Sequence, residues 1–224
     1  SLFTCWIGSD FQKQGHTAVA WMEATFGDMP LRIVHLQGNY GSSAQMGRSA
    51  SLDEGLSRNP HWALIARDSG DFTQAKGQEL VEAYLAQGIE FNLIFAENDN
   101  MAYGAIDALK NAGLQPGKDV AIISFDANRT ALHLVMDGEI NYDVECNPLH
   151  GPRVRAVIEQ LEKGEIPPRF VFQHCGHHRL VVQKLIAPSA KGQLAGDGLH
   201  LHTQQRRAVK GVLNGLFVPS GVAE

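Results

Sequence analysis

FAENDNMAYGA, residues 95–105, decides how this chain folds. Phe95 and Ala96 close an apolar run that begins at Asn92, and the polar pair Asn98-Asp99 follows at once. Apolar residues then recur at Met101, Ala105, Ala108 and Leu109, the spacing of a helix with one buried face. The stretch reads as strand, polar turn and helix. Asn98 is the natural N-cap, because its side-chain oxygen can accept from the first free N–H groups of the helix. That places Asn98 at the carboxyl end of a strand, where open parallel sheets bind their ligands.

The same unit recurs on both sides. Toward the amino terminus, strands are predicted over residues 2–7, 31–36 and 62–66. The first is followed by the turn Gly8-Ser9-Asp10 and a helix carrying Ala18, Val19, Trp21, Met22 and Phe26. The others lead into helices over 44–56 and 73–87, the last with Leu80, Val81, Tyr84 and Leu85 on one face and Gly88 as its stop. Toward the carboxyl terminus, strands fall at 120–125 and 140–144, and helices at about 130–136 and 151–161. Alternation of this kind, with short connections, predicts an α/β fold: a doubly wound parallel sheet covered on both faces.

Of the residues, 44% are hydrophobic and 19% charged, an ordinary globular balance. No apolar run approaches the roughly 20 residues of a membrane span. A net charge of −5 weighs against a nucleic-acid partner. Cys5, Cys146 and Cys175 make no paired framework. The chain begins at Ser1 with no leader segment, which says little about compartment. The pattern fails after Phe172. Residues 174–224 carry six Lys/Arg against two acids, whereas the preceding 173 carry 13 against 22. Residues 180–185 are apolar enough for one more strand, but 196–210 lack periodicity. The expected division is a lobe over 1–146, a crossing segment and helix over 147–172, and a poorly structured tail over 173–224.

Polar groups stand at every carboxyl strand end: Ser9/Asp10, Asn39/Ser42/Ser43, Asp71/Phe72, Asn98/Asp99, Asp126/Asn128 and Glu145/Cys146/Asn147. Each one can be a helix cap or turn residue. The fold gathers them on one edge, together with Arg48 and Phe72. Planar donor and acceptor groups in pairs suit adjacent hydroxyls, and a flat aromatic suits the C–H face of a sugar ring. No nucleophile–base pair is evident, so the reading is a binding protein and not an enzyme. Gly38-Asn39-Tyr40-Gly41 lacks the glycine spacing and the Lys-Ser/Thr of a phosphate loop. His174-Cys175-Gly176-His177-His178 has the wrong spacing for a standard zinc site. Neither a cofactor nor a resident metal is expected.

GSDF (8–11), IVHLQGNYGSSAQMGR (33–48), SGDFTQAKG (69–77), the stretch from Phe95 to Val120, FDAN (125–128), MDGEI (136–140) and VECNPLHGP (144–152) occur in this order. Each is weak alone; the ordered set resembles the type I periplasmic sugar-binding proteins of bacterial ABC importers. The galactofuranose-binding type is nearest and the ribose-binding type close. The resemblance runs from about Ser1 to about Phe172.

That resemblance implies two α/β lobes joined by crossing segments, with a monosaccharide in the cleft. It assigns Arg48, Asn98 and Asp126 to polar contacts with the sugar and Phe72 to its aromatic wall. Cys146 takes a position where many relatives carry Gln, and a thiol bonds a hydroxyl weakly. Asp10 and Asn147 fall at the crossings, as hinge residues. The implied partners are the sugar and the membrane permease, the implied compartment the periplasm, and the implied state a monomer. The resemblance also implies a further stretch ahead of Ser1 that supplies an Asp–Arg pair and aromatics from the other lobe. Without it the expected object is essentially one lobe plus part of the second, binding sugar weakly or not at all. The helix at 151–161 would then expose Val154, Val157, Ile158 and Leu161. The alternative is the effector-binding core of a LacI-type transcription repressor, which shares this fold.

Overall fold

Strands and helices alternate along the chain in the order β1 (Trp6–Ser9), α1 (Phe11–Phe26), β2 (Leu31–Gln37), α2 (Ser43–Arg58), β3 (Trp62–Ser69), α3 (Gln74–Ala86), β4 (Leu93–Ala96), α4 (Asp99–Asn111), β5 (Ala121–Asp126), α5 (Arg129–Asp137), β6 (Tyr142–Glu145), α6 (Gly151–Glu162), β7 (Phe170–Gln173) and β8 (Val181–Gln183). The structure is a computed structural model that describes residues 3–173 together with 181–183, 187–188 and 194–195. The six-stranded sheet has the order β3-β2-β4-β5-β6-β8. Its first five strands are parallel, and β8 runs antiparallel along β6.

Strand β4 shows why both faces must be covered. Leu93 and Phe95 point into one apolar layer, Ile94 and Ala96 into the other, and all four are fully buried. Alternate side chains of a strand leave opposite faces, so a uniformly apolar strand is stable only between two layers. Helices α1 and α2 close one side through Ala18, Val19, Trp21, Met22, Phe26 and Leu52. Helices α3, α4 and α5 close the other through Val81, Met101, Ala105, Leu109, Leu132 and Val135. Each of the larger of these side chains (Val, Leu, Met, Phe) contributes on the order of 1.5–3 kcal/mol on burial. Helices α3 and α4 meet closely enough that a Cβ at Gly104 would stand 2.1 Å from the Gln74 carbonyl oxygen. Glycine is therefore a packing requirement there.

The chain leaves β2 toward β3 in one direction and proceeds from β4 through β5 to β6 in the other. The strand order reverses between β2 and β4, which makes their carboxyl ends the crevice of this sheet. Gly38 follows β2 there, and Glu97 and Asn98 follow β4.

The expected lobe of 1–146 differs from this sheet at its amino end. Strand β1 does not join the six-stranded sheet; it pairs in parallel with β7, Trp6 opposite Phe170 and Gly8 opposite Phe172. The aromatic contacts Trp6–Phe170 and Trp6–Phe172 explain the choice. A short apolar run carries no mark of which sheet it enters. The first element packed on the six-stranded sheet is thus α1. Helix α6 has no buried residue, and Val154, Ile158 and Leu161 are 41, 49 and 44% exposed. Of the expected tail, Val181–Gln183 is a strand, and Ala187–Pro188 pairs with Leu194–Ala195. The His174–His178 stretch and residues 196–224 lie outside the described residues. No helix among the described residues is long and apolar enough to cross a membrane.

Candidate functional site

The site grows from the ends of β2, β4 and β5. Asn98 leaves β4 in extended geometry and caps α4: its Oδ1 accepts from Met101 N at 3.0 Å. The other end of the amide donates from Nδ2 to the carbonyl oxygen of Phe72, also at 3.0 Å. Asn98 is therefore committed by its side chain, not only its backbone, and one N–H of Nδ2 remains for a ligand. Phe72 itself is held at φ 59° and Asp71 at φ 51°, left-handed values that non-glycine residues adopt at a cost. The ring lies against the chain at Gly38, where an added Cβ would meet Phe72 Cζ at 1.9 Å. Gly38 thus gives the Phe72 ring its seat.

Arg48 comes from α2 and is buried, 2% exposed. Its Nε and Nη2 donate to Gln14 Oε1 at 3.2 and 2.8 Å, and its Nη1 donates to the carbonyl oxygen of Glu97. Nη2 also meets Asp126 Oδ1 at 3.3 Å. The guanidinium lies 4.6 Å from the centroid of the Phe125 ring and 5.4 Å from that of Phe11. These contacts fix the plane of the guanidinium and aim the Arg48–Asp126 pair at the sheet edge. Burial pushes the Asp126 carboxyl up, and the charge and hydrogen bond of Arg48 oppose that shift. The Asp126 side chain is 40% exposed, so its carboxyl reaches solvent.

Beneath the edge lies a buried polar layer. Glu97 Oε1 accepts from His35 Nε2 at 3.0 Å and from Ser49 Oγ at 2.6 Å, and Oε2 accepts from Gly38 N at 2.7 Å. Burial lowers the His35 pKa, although the Glu97 carboxylate opposes this. His35 is thus neutral, with its proton on Nε2. The layer ties the crevice loop after β2 to α2 and β4.

Of the residues expected at the site, Arg48 and Asp126 are in direct contact, as are Asn98 and Phe72. Cys146 joins them through its backbone N–H, 3.3 Å from the Asp126 carbonyl oxygen. Its thiol faces Ser9 Oγ at 3.6 Å, so the ends of β1 and β6 touch there. The carboxylate of Asp10 caps α1 through Lys13 N at 2.9 Å. Asn147 Oδ1 accepts from Leu149 N at 2.9 Å, the turn that leads into α6. Gln14, Glu97 and Gly38 were not anticipated. Gln14 carried one signal: it is a polar residue in line with Ala18 and Met22, on the buried stripe of α1. Among the described residues no group of three or more metal-ligating side chains converges.

The model of the periplasmic binding protein domain matches residues 4–165. The galactofuranose-binding protein YtfQ of Escherichia coli is 33% identical over 176 residues, 77% of this chain and 55% of that protein. A solved structure from Mycobacterium smegmatis in complex with β-D-fucofuranose has 34% identity and a TM-score of 0.72, over 77% of this chain and 57% of that one. The periplasmic binding component of the arabinose ABC transporter from Shewanella sp. ANA-3, bound to α- and β-L-arabinofuranose, has 26% identity and a TM-score of 0.76, over 95% and 63%. The chain spans about half the length of the curated relatives it matches. Two faces of helices on a parallel sheet, a reversal of strand order at β2 and β4, and a match over most of the described residues lead to one assignment: this chain belongs to the periplasmic binding protein domain family.

Proposed function

We propose that this chain is the part of an ABC-importer substrate-binding component that holds one face of a monosaccharide. The observation that carries the reading is the Arg48–Asp126 pair at the sheet edge, near the Phe72 wall. A carboxylate accepts from adjacent hydroxyls, a guanidinium held in a fixed plane donates to ring or hydroxyl oxygen, and an aromatic face covers sugar C–H groups. Asn98 adds one donor. The ligand class is a furanose, the ring form named for the Mycobacterium smegmatis and Shewanella complexes and for the Escherichia coli protein. Binding is non-covalent, and Asp10 and Asn147 are the hinge residues. The sugar is delivered to a membrane permease from the periplasm, by a monomer that does not bind nucleic acid.

Contacts from this edge alone reach one face of the ring, so affinity in this chain is weak. Saturation-transfer NMR reads weak binding. L-Arabinose, D-ribose and D-galactose are expected to receive saturation from the protein, and Phe72→Ala to abolish it. No transfer to any of the three sugars overturns the reading.

A further inference from the structure

Behind Asp126 lies a second acidic layer that the sugar reading does not use. Asp99 on α4 and Asp143 on β6 are both 1% exposed. The Asp99 charge raises the Asp143 carboxyl, and two like charges in one buried site are relieved when the pair holds one proton. A geometric observation agrees. Asp143 Oδ2 is buried with no donor directed at it, and a proton on that atom satisfies it.

The outer atoms of the pair hold backbone. Asp143 Oδ1 accepts from Ala127 N at 3.2 Å, and Asp99 Oδ2 accepts from Asn128 N at 2.9 Å. Asp99 Oδ1 accepts from Ser124 Oγ at 2.6 Å. Leading into those anchors the chain takes φ 110° at Asp126 and 54° at Ala127, two successive positive-φ non-glycine residues. Such a step persists only when the surroundings impose it.

We infer that Asp99 and Asp143 are positioning residues of the sugar edge: joined by one proton, they clamp the N–H groups of Ala127 and Asn128 and so hold the left-handed step that presents the Asp126 carboxylate beside Arg48. The clamp is read from this chain's own geometry; its consequence for sugar rests on the function proposed above. The groups facing the pair are consistent with it. Asp126 at the end of β5 adds negative potential to both carboxyls. Arg48 of α2 faces Asp126 and not the pair. Tyr103 of α4 donates to Asn128 Oδ1 at 2.6 Å, and burial and the nearby carboxyls keep its phenol protonated.

Burial pushes the Asp99 carboxyl up to about 7, and burial and the Asp99 charge raise Asp143 well above its ordinary value. The folded state therefore holds a proton that the unfolded chain releases near its ordinary value of about 4. The stabilisation is complete below about pH 4 and is lost as pH rises through about 7.

Asp143→Asn tests this, because the amide supplies permanently what the proton supplies in the parent: Nδ2 donates to Asp99, and Oδ1 still accepts from Ala127 N. The measurements are the amide resonances of Ala127 and Asn128, and the urea midpoint, from about pH 5 to about pH 8.5. In the parent, both amides should shift with pH through neutrality while the midpoint falls. In Asp143→Asn the amide shifts should vanish, and the midpoint should lose its decline relative to the parent. Amides in Asp143→Asn that titrate as in the parent overturn the inference. Neither readout involves sugar, so failure of the sugar reading leaves both standing.

Discussion

The side-chain amide of Asn98 ties two jobs together: Oδ1 caps α4 through Met101 N, and Nδ2 holds the carbonyl oxygen of Phe72, each at 3.0 Å. The two jobs separate by substitution. Asn98→Asp keeps the acceptor and the cap, but loses the donor and sets a carboxylate against the Phe72 carbonyl. Asn98→Ala loses both, and a lost cap costs about 1 kcal/mol or somewhat more. Urea unfolding should show Asn98→Ala clearly destabilised and Asn98→Asp much less so. Relaxation of the Phe72 ring signals should show it loosened in both variants.

The seat of the ring is the next test. Gly38→Ala places a methyl where Phe72 Cζ now lies, 1.9 Å from it. The ring end can swing aside, since Phe72 is half-buried, so the fold should survive with a modest loss of stability. Contacts between the ring and residue 38, read as NOEs in the parent, should vanish. Saturation transfer to sugar should fall with them.

Gln14 supports a buried cation. Gln14→Leu removes the acceptor of two Arg48 N–H groups and should destabilise by about 1.5–3 kcal/mol, the range for hydrogen bonds to a charged group. Gln14→Glu, which keeps an acceptor and adds a countercharge, should be tolerated far better. Urea midpoints at one pH decide between them.

His35 sets an acid limit. Its Nδ1 is buried without a partner, so the imidazolium has nowhere to place its second proton. Burial lowers the folded pKa, and the unfolded chain takes up a proton near about 6.5. The contribution of neutral His35 is therefore complete above about pH 6.5 and is lost as pH falls below it. His35→Gln, which keeps a donor toward Glu97, should flatten that loss. Unfolding midpoints of the two proteins between about pH 5 and about pH 7.5 should converge toward acid.

Much of this was legible in the sequence, where physics is local. The five βα units, the buried faces of α1 and α4, the Asn98 cap and the gathering of Asp126, Arg48 and Phe72 at one edge follow from periodicity and turn chemistry. Strand β1 was not, because pairing with β7 depends on contacts across more than 150 residues. Glu97 and Asp143 were not, because a carboxylate next to apolar strand residues reads as a strand end until its donors are located. The left-handed backbone at Phe72 and Asp126 leaves no trace in residue type; neither is a glycine or an asparagine. Those two departures lie at the site residues themselves, where strain imposed by surrounding hydrogen bonds is expected.

The central claim is that the carboxyl edge between β2, β4 and β5 is where this chain meets a sugar. A titration of isotope-labelled protein with L-arabinose, followed through backbone amide shifts, tests it most directly. The account predicts weak, saturable shifts concentrated at Gly38, Phe72, Asn98 and Asp126, with α6 and the outer ends of the strands unchanged. Shifts that avoid those four residues, or an unchanged spectrum at saturating sugar, would contradict it.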